Sequence, residues 1–231
     1  MKYMGSKARL KNKIIPLLNT GGRNYYEPFA GGMNMIDGVR DARARFANDS
    51  NKYVIAAFKA LCAGWNPEFI SRDEYANLKN LEGDDHLIGW AGIACSYSGK
   101  WFGGYAGIVE TRCGMRDYQA EAIKNAAQQI KNLKGVIFSN LSYDEMQIES
   151  DSVVYCDPPY AGTTGYKDSF NNDDFWNWAR DLSKRCDVYI SEYKAPGDFE
   201  CIAEFDVKSS LSANGRSGHS KPSVEKLFKL R

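Results

Sequence analysis

A chain of 231 residues can form one sizeable domain, or a core carrying one inserted subdomain, and bury a hydrophobic core without disulfide or metal staples. With 43% hydrophobic and 26% charged residues, no run as long as a transmembrane helix and no apolar leader, the composition excludes a disordered or membrane-embedded chain and predicts a cytoplasmic protein. A net charge of +1 gives no global basic field, so any nucleic-acid face must be local; six cysteines without a C-x-x-C pair, beside two histidines, predict no metal site and no disulfide framework, only reduced, mostly buried thiols.

The spacing of Leu10, Ile14, Ile15, Leu17 and Leu18 predicts an N-terminal helix from Ser6 to about Asn19, with Ser6 as N-cap and Pro16 near its end. Tyr25 to Phe29, a Gly31-Gly32 turn and a run through Met35, Ile36 and Val39 read as strand, tight turn and helix. A short strand from Arg45 to Asn48 ends at Asp49, and Tyr53 to Cys62 is helical by pattern, giving the alternation of a doubly wound α/β sheet. That alternation breaks between about 65 and 116, where Trp65, Trp90, Tyr97, Trp101, Phe102 and Tyr105 lie among glycines with few strand-like runs, as expected of an insertion. A helix over about 117–133 and strands at 136–138 and 153–156 restore the pattern, followed by a helix from about Asp173 to Lys184 and a strand at 188–191. Two strand-like segments, 204–211 and 224–230, predict a C-terminal antiparallel hairpin around a polar, Gly-containing loop.

Asp157-Pro158-Pro159-Tyr160 carries the strongest chemical signal: a strand of buried type ends in a carboxylate, two prolines stiffen the chain, and an aromatic ring follows. Each proline sets its own φ and removes an N–H, so carbonyls point outward at the carboxyl edge of the sheet, where α/β proteins bind ligands. An adenine or cytosine amino group is a poor nucleophile because its lone pair is delocalised; accepting both N–H bonds, at Asp157 and the Pro158 carbonyl, favours a pyramidal nitrogen. Tyr160 can stack on a base that has left the duplex. The plainer reading is a turn that ends a strand. In Pro28-Phe29-Ala30-Gly31-Gly32 the glycines stand where a backbone passes close to a cofactor, or simply make a tight turn. Asp49, at the end of the next strand, has the position of an acid that meets ribose hydroxyls, or that of an N-cap. Lys7, placed in the first turn of the predicted helix, opposes the helix dipole, a conflict that a nearby anion such as a methionine carboxylate removes; the alternative is a solvated lysine. Lys100, Trp101, Phe102, Tyr105, Arg112, Arg116 and Lys124 mix cations with aromatics in a manner suited to phosphates and bases, or form a small aromatic core under a charged surface. The stretch 208–226, with Asn214 and Arg216, can track phosphates or be a solvated hairpin loop.

In their order along the chain these motifs resemble the Dam-like family of DNA adenine methyltransferases. Lys2-Tyr3-Met4-Gly5-Ser6-Lys7 is similar to the family's K-W-A-G-G-K, Glu27-Pro28-Phe29-Ala30-Gly31-Gly32 to its E-P-F-x-G-x-G, Asn48-Asp49-Ser50-Asn51 to its A-D-x-N, and Ser152 to Tyr160 to its S-V-V-Y-C-D-P-P-Y. The departures are Tyr3 for Trp, Met33 in the glycine motif and a shorter recognition region in which the residues that read GATC are not recognisable. Gly162 to Tyr166, after the DPPY motif, looks similar to enzymes carried by phages and mobile elements.

The resemblance implies a Rossmann-like class I AdoMet-dependent methyltransferase fold: a mixed seven-stranded sheet with a C-terminal antiparallel hairpin and a mostly helical inserted DNA-recognition subdomain. The catalytic domain would span 1–59 and 136–231 and the insertion 60–135. It implies S-adenosyl-L-methionine as methyl donor, bound by Tyr3, Lys7, Glu27, Pro28, Phe29, Gly31, Asp49 and Asp157, with Asp157, Pro158, Pro159 and Tyr160 catalytic and no metal. Double-stranded DNA would be the partner, contacted by Lys100, Trp101, Arg112, Arg116, Asn214 and Arg216, with the chain acting as a monomer in a bacterial or phage-infected cell. The absence of a Pro-Cys nucleophile argues against methylation of a cytosine ring carbon, and Cys156, inside a strand, should be packed. The same fold acting on cytosine amino groups or RNA, and a catalytically silent DNA-binding protein, are the competing readings.

Overall fold

Short strands buried on both faces build the centre of the molecule. In the computed structural model, which describes residues 1–111, 113–160, 170–208 and 222–231, the central strands β1 (Tyr25–Glu27), β2 (Arg45–Asn48) and β6 (Val153–Cys156) bury side chains on both faces. Tyr25, Ala47, Val153 and Tyr155 enter one apolar cluster, while Tyr26, Val154 and Cys156 enter another on the opposite face. A sheet covered on both sides is the environment in which parallel strands are stable.

The sheet has the order β5-β2-β1-β6-β7-β9-β8, where β5 is Val136–Ser139, β7 Asp187–Glu192, β8 Phe199–Lys208 and β9 Pro222–Leu230. Strands β5, β2, β1, β6 and β7 are parallel, in register at Tyr25↔Arg45, Tyr25↔Val153 and Cys156↔Ile190. β9 runs antiparallel between β7 and β8, forming the expected C-terminal hairpin, with a bulge at Cys201/Ala203. This is the Rossmann-like, mixed seven-stranded sheet the sequence predicts. Its order reverses at β1, so the carboxyl ends of β1, β2 and β6 open onto one crevice.

Helices cover the faces where their caps and apolar stripes agree. In α2 (Lys52–Cys62) the N-cap is Asn51, whose side chain accepts from the Tyr53 and Val54 N–H groups; Asp49 is therefore not the cap. α6 (Asn172–Ser183) begins at Asn171, carries Asp173 and Asp174 in its first turn, and buries Phe175, Trp176, Ala179 and Leu182. Between α2 and α5 (Tyr118–Gln129) lie α3 (Arg72–Lys79), started by a Ser71/Glu74 capping box, and α4 (Asp85–Ile93). α4 crosses α2 closely enough that a Cβ on Gly89 would come within 1.8 Å of the Tyr53 carbonyl oxygen. The buried side chains of α3 and α4, including Tyr75, Leu78, Ile88 and Trp90, belong to the same cluster as Tyr25 and Tyr155, so this segment shares the core of the sheet.

Four expectations need correction. The N-terminal helix shrinks to α1 (Lys11–Ile14) and a 3-10 turn at Ile15–Leu17; Ser6 Oγ accepts from the Ala8 N–H in a turn, because Lys7 is drawn inward by partners far along the chain. The run through Met35 to Val39 forms only a 3-10 turn at Ile36–Gly38, with Gln129 donating to the Gly32 and Met33 oxygens and Arg45 to those of Ile36 and Val39. A hairpin, β3 (Ile108–Thr111) with β4 (Gly114–Asp117), occurs where few strands were expected. Finally, Cys62, Cys113 and Cys201 are exposed, while Cys95, Cys156 and Cys186 are buried; all six are free.

Candidate active site at the carboxyl edge of the sheet

The loops after β1, β2 and β5 are stitched together by one buried amide. Asn48 Nδ2 donates to the Pro28 and Leu141 carbonyls, while its Oδ1 accepts from the Leu141 N–H and the Ser139 hydroxyl. Asp49, next along the chain, turns into the glycine loop: Oδ2 accepts from the Gly31 N–H at 2.8 Å and Oδ1 from the Asn51 N–H at 2.9 Å. Burial pushes this carboxyl up, and the two backbone N–H bonds pull it down. Each oxygen keeps a second lone pair for a ligand hydroxyl. Gly31, at φ +45°, and Gly32 lie under the Tyr3 ring; a Cβ at either position would come within 2.7 Å of a Tyr3 ring or Cβ carbon. Replacing Asp49 with alanine orphans two loop N–H groups, at about 1–3 kcal/mol for the pair given partial access to water. Lower thermal stability together with weaker AdoMet binding by calorimetry is expected; an unchanged affinity would confine Asp49 to holding the loop.

Glu27 closes the end of β1 as a buried carboxyl. It is 2% exposed, accepts the Tyr25 hydroxyl at 2.7 Å, and is pushed well above the usual carboxylate range, first by burial. Pro28 is buried, and the Phe29 ring packs against Tyr143 at 5.3 Å and Phe175 at 5.7 Å on the α6 side.

The centre of the edge is a buried ammonium. Lys7 is 6% exposed, and its Nζ donates to Asp157 Oδ1 and Oδ2 at 2.9 and 3.1 Å and to the Gly5 carbonyl at 3.1 Å, with Glu225 of β9 at 3.8 Å. Burial works against its charge, but Asp157 and then Glu225 outweigh it, so Lys7 holds its proton more tightly than an ordinary lysine. It is thus neither solvated nor in a helix. Its ammonium faces the Tyr160 ring at 4.7 Å; the Tyr160 hydroxyl donates to Glu225 Oε2 at 2.7 Å, and the ring meets Tyr193 edge-on at 4.8 Å. Pro158 is buried and Pro159 half-buried, so the loop backbone is held while Asp157 and Tyr160 remain partly open.

Glu192, at the end of β7, completes the cluster. Burial, together with the charges of Asp157 and Glu225, pushes it up to about 7. Since an unfolded glutamate ionises near 4.5, the stability this group contributes is full below that pH and drains away as pH rises to about 7. Glu192→Gln should flatten the fall in melting temperature across this window; an unchanged slope would assign the proton to another group. Sequence reading missed Glu192, Tyr193 and Glu225. The first two could have been found as the residues just past a buried strand at the carboxyl edge; Glu225 sits in a strand whose alternation looks solvent-facing.

The expected nucleic-acid contacts are placed unevenly. Lys100 is exposed. Trp101 spends its ring on packing, against Gly92, Tyr53 at 6.0 Å and Phe102 at 5.0 Å. Arg116 is paired with Glu121 at 2.6 and 2.8 Å and covers Tyr118 at 4.4 Å. On the same hairpin Ile108, Val109 and Met115 are exposed. Arg112, Asn214 and Arg216, and Gly162 to Tyr166, lie outside the described residues. Among the described residues no cluster could hold a metal, and no helix is long and apolar enough to cross a membrane.

Among solved structures the chain is similar to tRNA (m1A58) methyltransferase TrmI from Aquifex aeolicus, at 8% identity over 97% of this chain and 68% of that one, with a TM-score of 0.43. It is also similar to the rRNA methyltransferase aviRa from Streptomyces viridochromogenes, at 10% identity over 99% of this chain and 86% of that one, with a TM-score of 0.44. No curated protein matches the sequence. The family of D12 class N6 adenine-specific DNA methyltransferases matches residues 3–86 and 94–200, which take in the Lys7 segment, the glycine loop, Asp49 and the DPPY loop. With most of its length matched, and its site built from those segments, the chain belongs to the D12 class N6 adenine-specific DNA methyltransferases.

Proposed function

We propose that the chain methylates the exocyclic amino group of adenine in double-stranded DNA at the carboxyl edge, with S-adenosyl-L-methionine as donor. The observation that carries this reading is the convergence of Lys7, Asp157 and Tyr160 at the end of β6, with the Gly31–Asp49 loop beside them. The donor set fits the cofactor: two carboxylates, Asp157 and Glu225, face one ammonium and leave excess negative charge suited to a sulfonium, and Asp49 keeps lone pairs suited to ribose hydroxyls. Tyr3, Lys7, Glu27, Pro28, Phe29, Gly31, Asp49 and Asp157 are the proposed cofactor residues. Lys7 and Glu27 act indirectly, one by holding Asp157 and the other as a buried floor bonded to the Tyr25 hydroxyl.

When bound, the cofactor supplies a methyl group already activated for direct, in-line transfer. The chain contributes position and electrostatics. Asp157 and the Pro158 carbonyl would accept the two amino N–H bonds and so localise the nitrogen lone pair for attack, and Asp157 would take up the proton that the amino nitrogen releases on methylation. Tyr160 stacks on the extruded base, a gain of about 1–3 kcal/mol that offsets a flipping cost of a few kcal/mol. Residues 60–135 form the proposed recognition segment, with Lys100 and Arg116, and Arg112, Asn214 and Arg216 from beyond the described residues, on phosphates; Trp101 supports the segment from below.

The test is to incubate the protein with unmethylated DNA and methyl-labelled AdoMet, digest to nucleosides and identify the labelled one. Label on N6-methyldeoxyadenosine is expected. Label on deoxycytidine would move the substrate, and label found only in a parallel incubation with RNA would reject DNA.

A further inference from the structure

The two prolines of the DPPY loop restrain its backbone, but not the two side-chain torsions of Tyr160, and stacking on a base depends on where that ring points. Its attitude is set by groups from distant parts of the chain. The hydroxyl donates to Glu225 Oε2 at 2.7 Å, the face lies 4.7 Å from Lys7 Nζ, and the edge meets Tyr193 at 81°. Glu225 lies at the centre of this arrangement: its carboxylate, 13% exposed, takes the hydroxyl and also stands 3.8 Å from the ammonium that holds Asp157. A charged acceptor makes a shorter and roughly twice stronger hydrogen bond than a neutral one.

We propose that Glu225 is a positioning residue for methyl transfer, anchoring the Tyr160 hydroxyl so that the ring faces the place of the target base while Lys7 holds Asp157 beside it. This inference rests on the reading that Tyr160 stacks on the base. It places a residue of the C-terminal hairpin, outside every motif of the resemblance, in control of the DPPY ring. A glutamate that served only as a second counter-ion for Lys7 would need its charge but not the hydroxyl contact, and this difference is measurable.

Single-turnover methylation should be compared for wild type, Glu225→Ala and Glu225→Gln, each with and without Tyr160→Phe, with AdoMet affinity measured on every variant. Glu225→Ala is expected to lower the methylation rate about 10-fold, short of the ~10²-fold that a 1 Å misplacement near the chemistry can cost. The loss should persist at saturating AdoMet, which removes any change in cofactor affinity and leaves the chemical step. Glu225→Gln, whose amide oxygen still accepts the hydroxyl, should recover most of the rate. In the Tyr160→Phe background, with no hydroxyl to anchor, the alanine and glutamine substitutions should become equivalent. If the alanine variant does not fold, Glu225→Asp takes its place, because it keeps a charge but withdraws the acceptor. Glutamine as damaging as alanine, or the same loss in both backgrounds, or a wild-type rate in Glu225→Ala, would overturn the proposal. A wild-type protein that leaves no label on deoxyadenosine would instead overturn the function proposed above.

Discussion

Asp157→Ala is expected to lower methyl transfer by on the order of 10²–10³-fold, the loss typical of removing one preorganised group that stabilises charge in the transition state. The carboxylate has two duties, and they can be measured apart. It accepts from the amino group in the proposed chemistry, and it is the nearest counter-ion of Lys7, whose side chain is 5% exposed. Removing one partner of a fully buried pair costs about 3–5 kcal/mol. Asp157 is 20% exposed, and Glu225 remains 3.8 Å from the ammonium, so water and a second carboxylate absorb part of that loss. A cost of about 2 kcal/mol, or roughly 4–8 °C in melting temperature for a chain of this size, is expected. Asp157→Asn keeps an acceptor oxygen and the loop shape but loses the charge, so it should unfold nearer the wild type and still be strongly impaired. If the alanine variant lost activity only in proportion to its unfolded fraction, Asp157 would be a structural residue and the DPPY loop a turn that merely ends β6.

How much of this was legible depends on the range over which each signal acts. The strand Val153–Cys156 and its loop were readable because burial on both faces gives a short apolar run and the chemistry follows within four residues. The C-terminal hairpin was readable from local pattern, although β8 begins at Phe199, earlier than expected. The N-terminal helix was over-read: Leu10, Ile14 and Leu18 do pack into the core, but through one α-turn and a 3-10 turn, since the preceding residues bring Lys7 to Asp157, 150 positions away. No local periodicity reports such a partner. The β3–β4 hairpin was missed for the opposite reason: Ile108, Val109 and Met115 are exposed, so the alternation that marks a half-buried strand is absent. Lys7 drew attention as a cation wanting an anion; the anions in the structure are side chains, where a ligand carboxylate had been one of the two readings. Glu225 had no signal, because one carboxylate in a strand with Lys226 and Lys229 reads as surface until Tyr160 is placed against it.

Lys7→Met separates these two readings of the lysine. The substitution keeps an unbranched chain of similar length and removes the ammonium, leaving Asp157, Glu225 and Glu192 facing one another. If Lys7 bound the carboxylate of the methionine moiety, AdoMet affinity would fall by the worth of a hydrogen bond to a charged group, about 1.5–3 kcal/mol, or more than tenfold. With Nζ spent on Asp157, Glu225 and the Gly5 carbonyl, affinity is expected to change by less than about tenfold while the methylation rate falls on the order of 10²-fold. The pH dependence should move as well. Lys7 helps to hold Glu192 down at about 7 against burial and its neighbouring carboxylates, so without it Glu192 ionises at still higher pH and the fall in melting temperature assigned to it shifts upward in pH. On the alkaline side the linkage has the opposite assignment. The Lys7 proton is held more tightly in the folded state than at the ordinary 10.5, so its stabilisation is present throughout the neutral range and lost only as pH rises through the raised folded value. Melting temperatures of wild type and Lys7→Met should therefore differ most at neutral pH and converge above 10.5. A variant that binds AdoMet more than tenfold more weakly, with its rate restored at saturating cofactor, would return Lys7 to the cofactor and remove it from the control of Asp157.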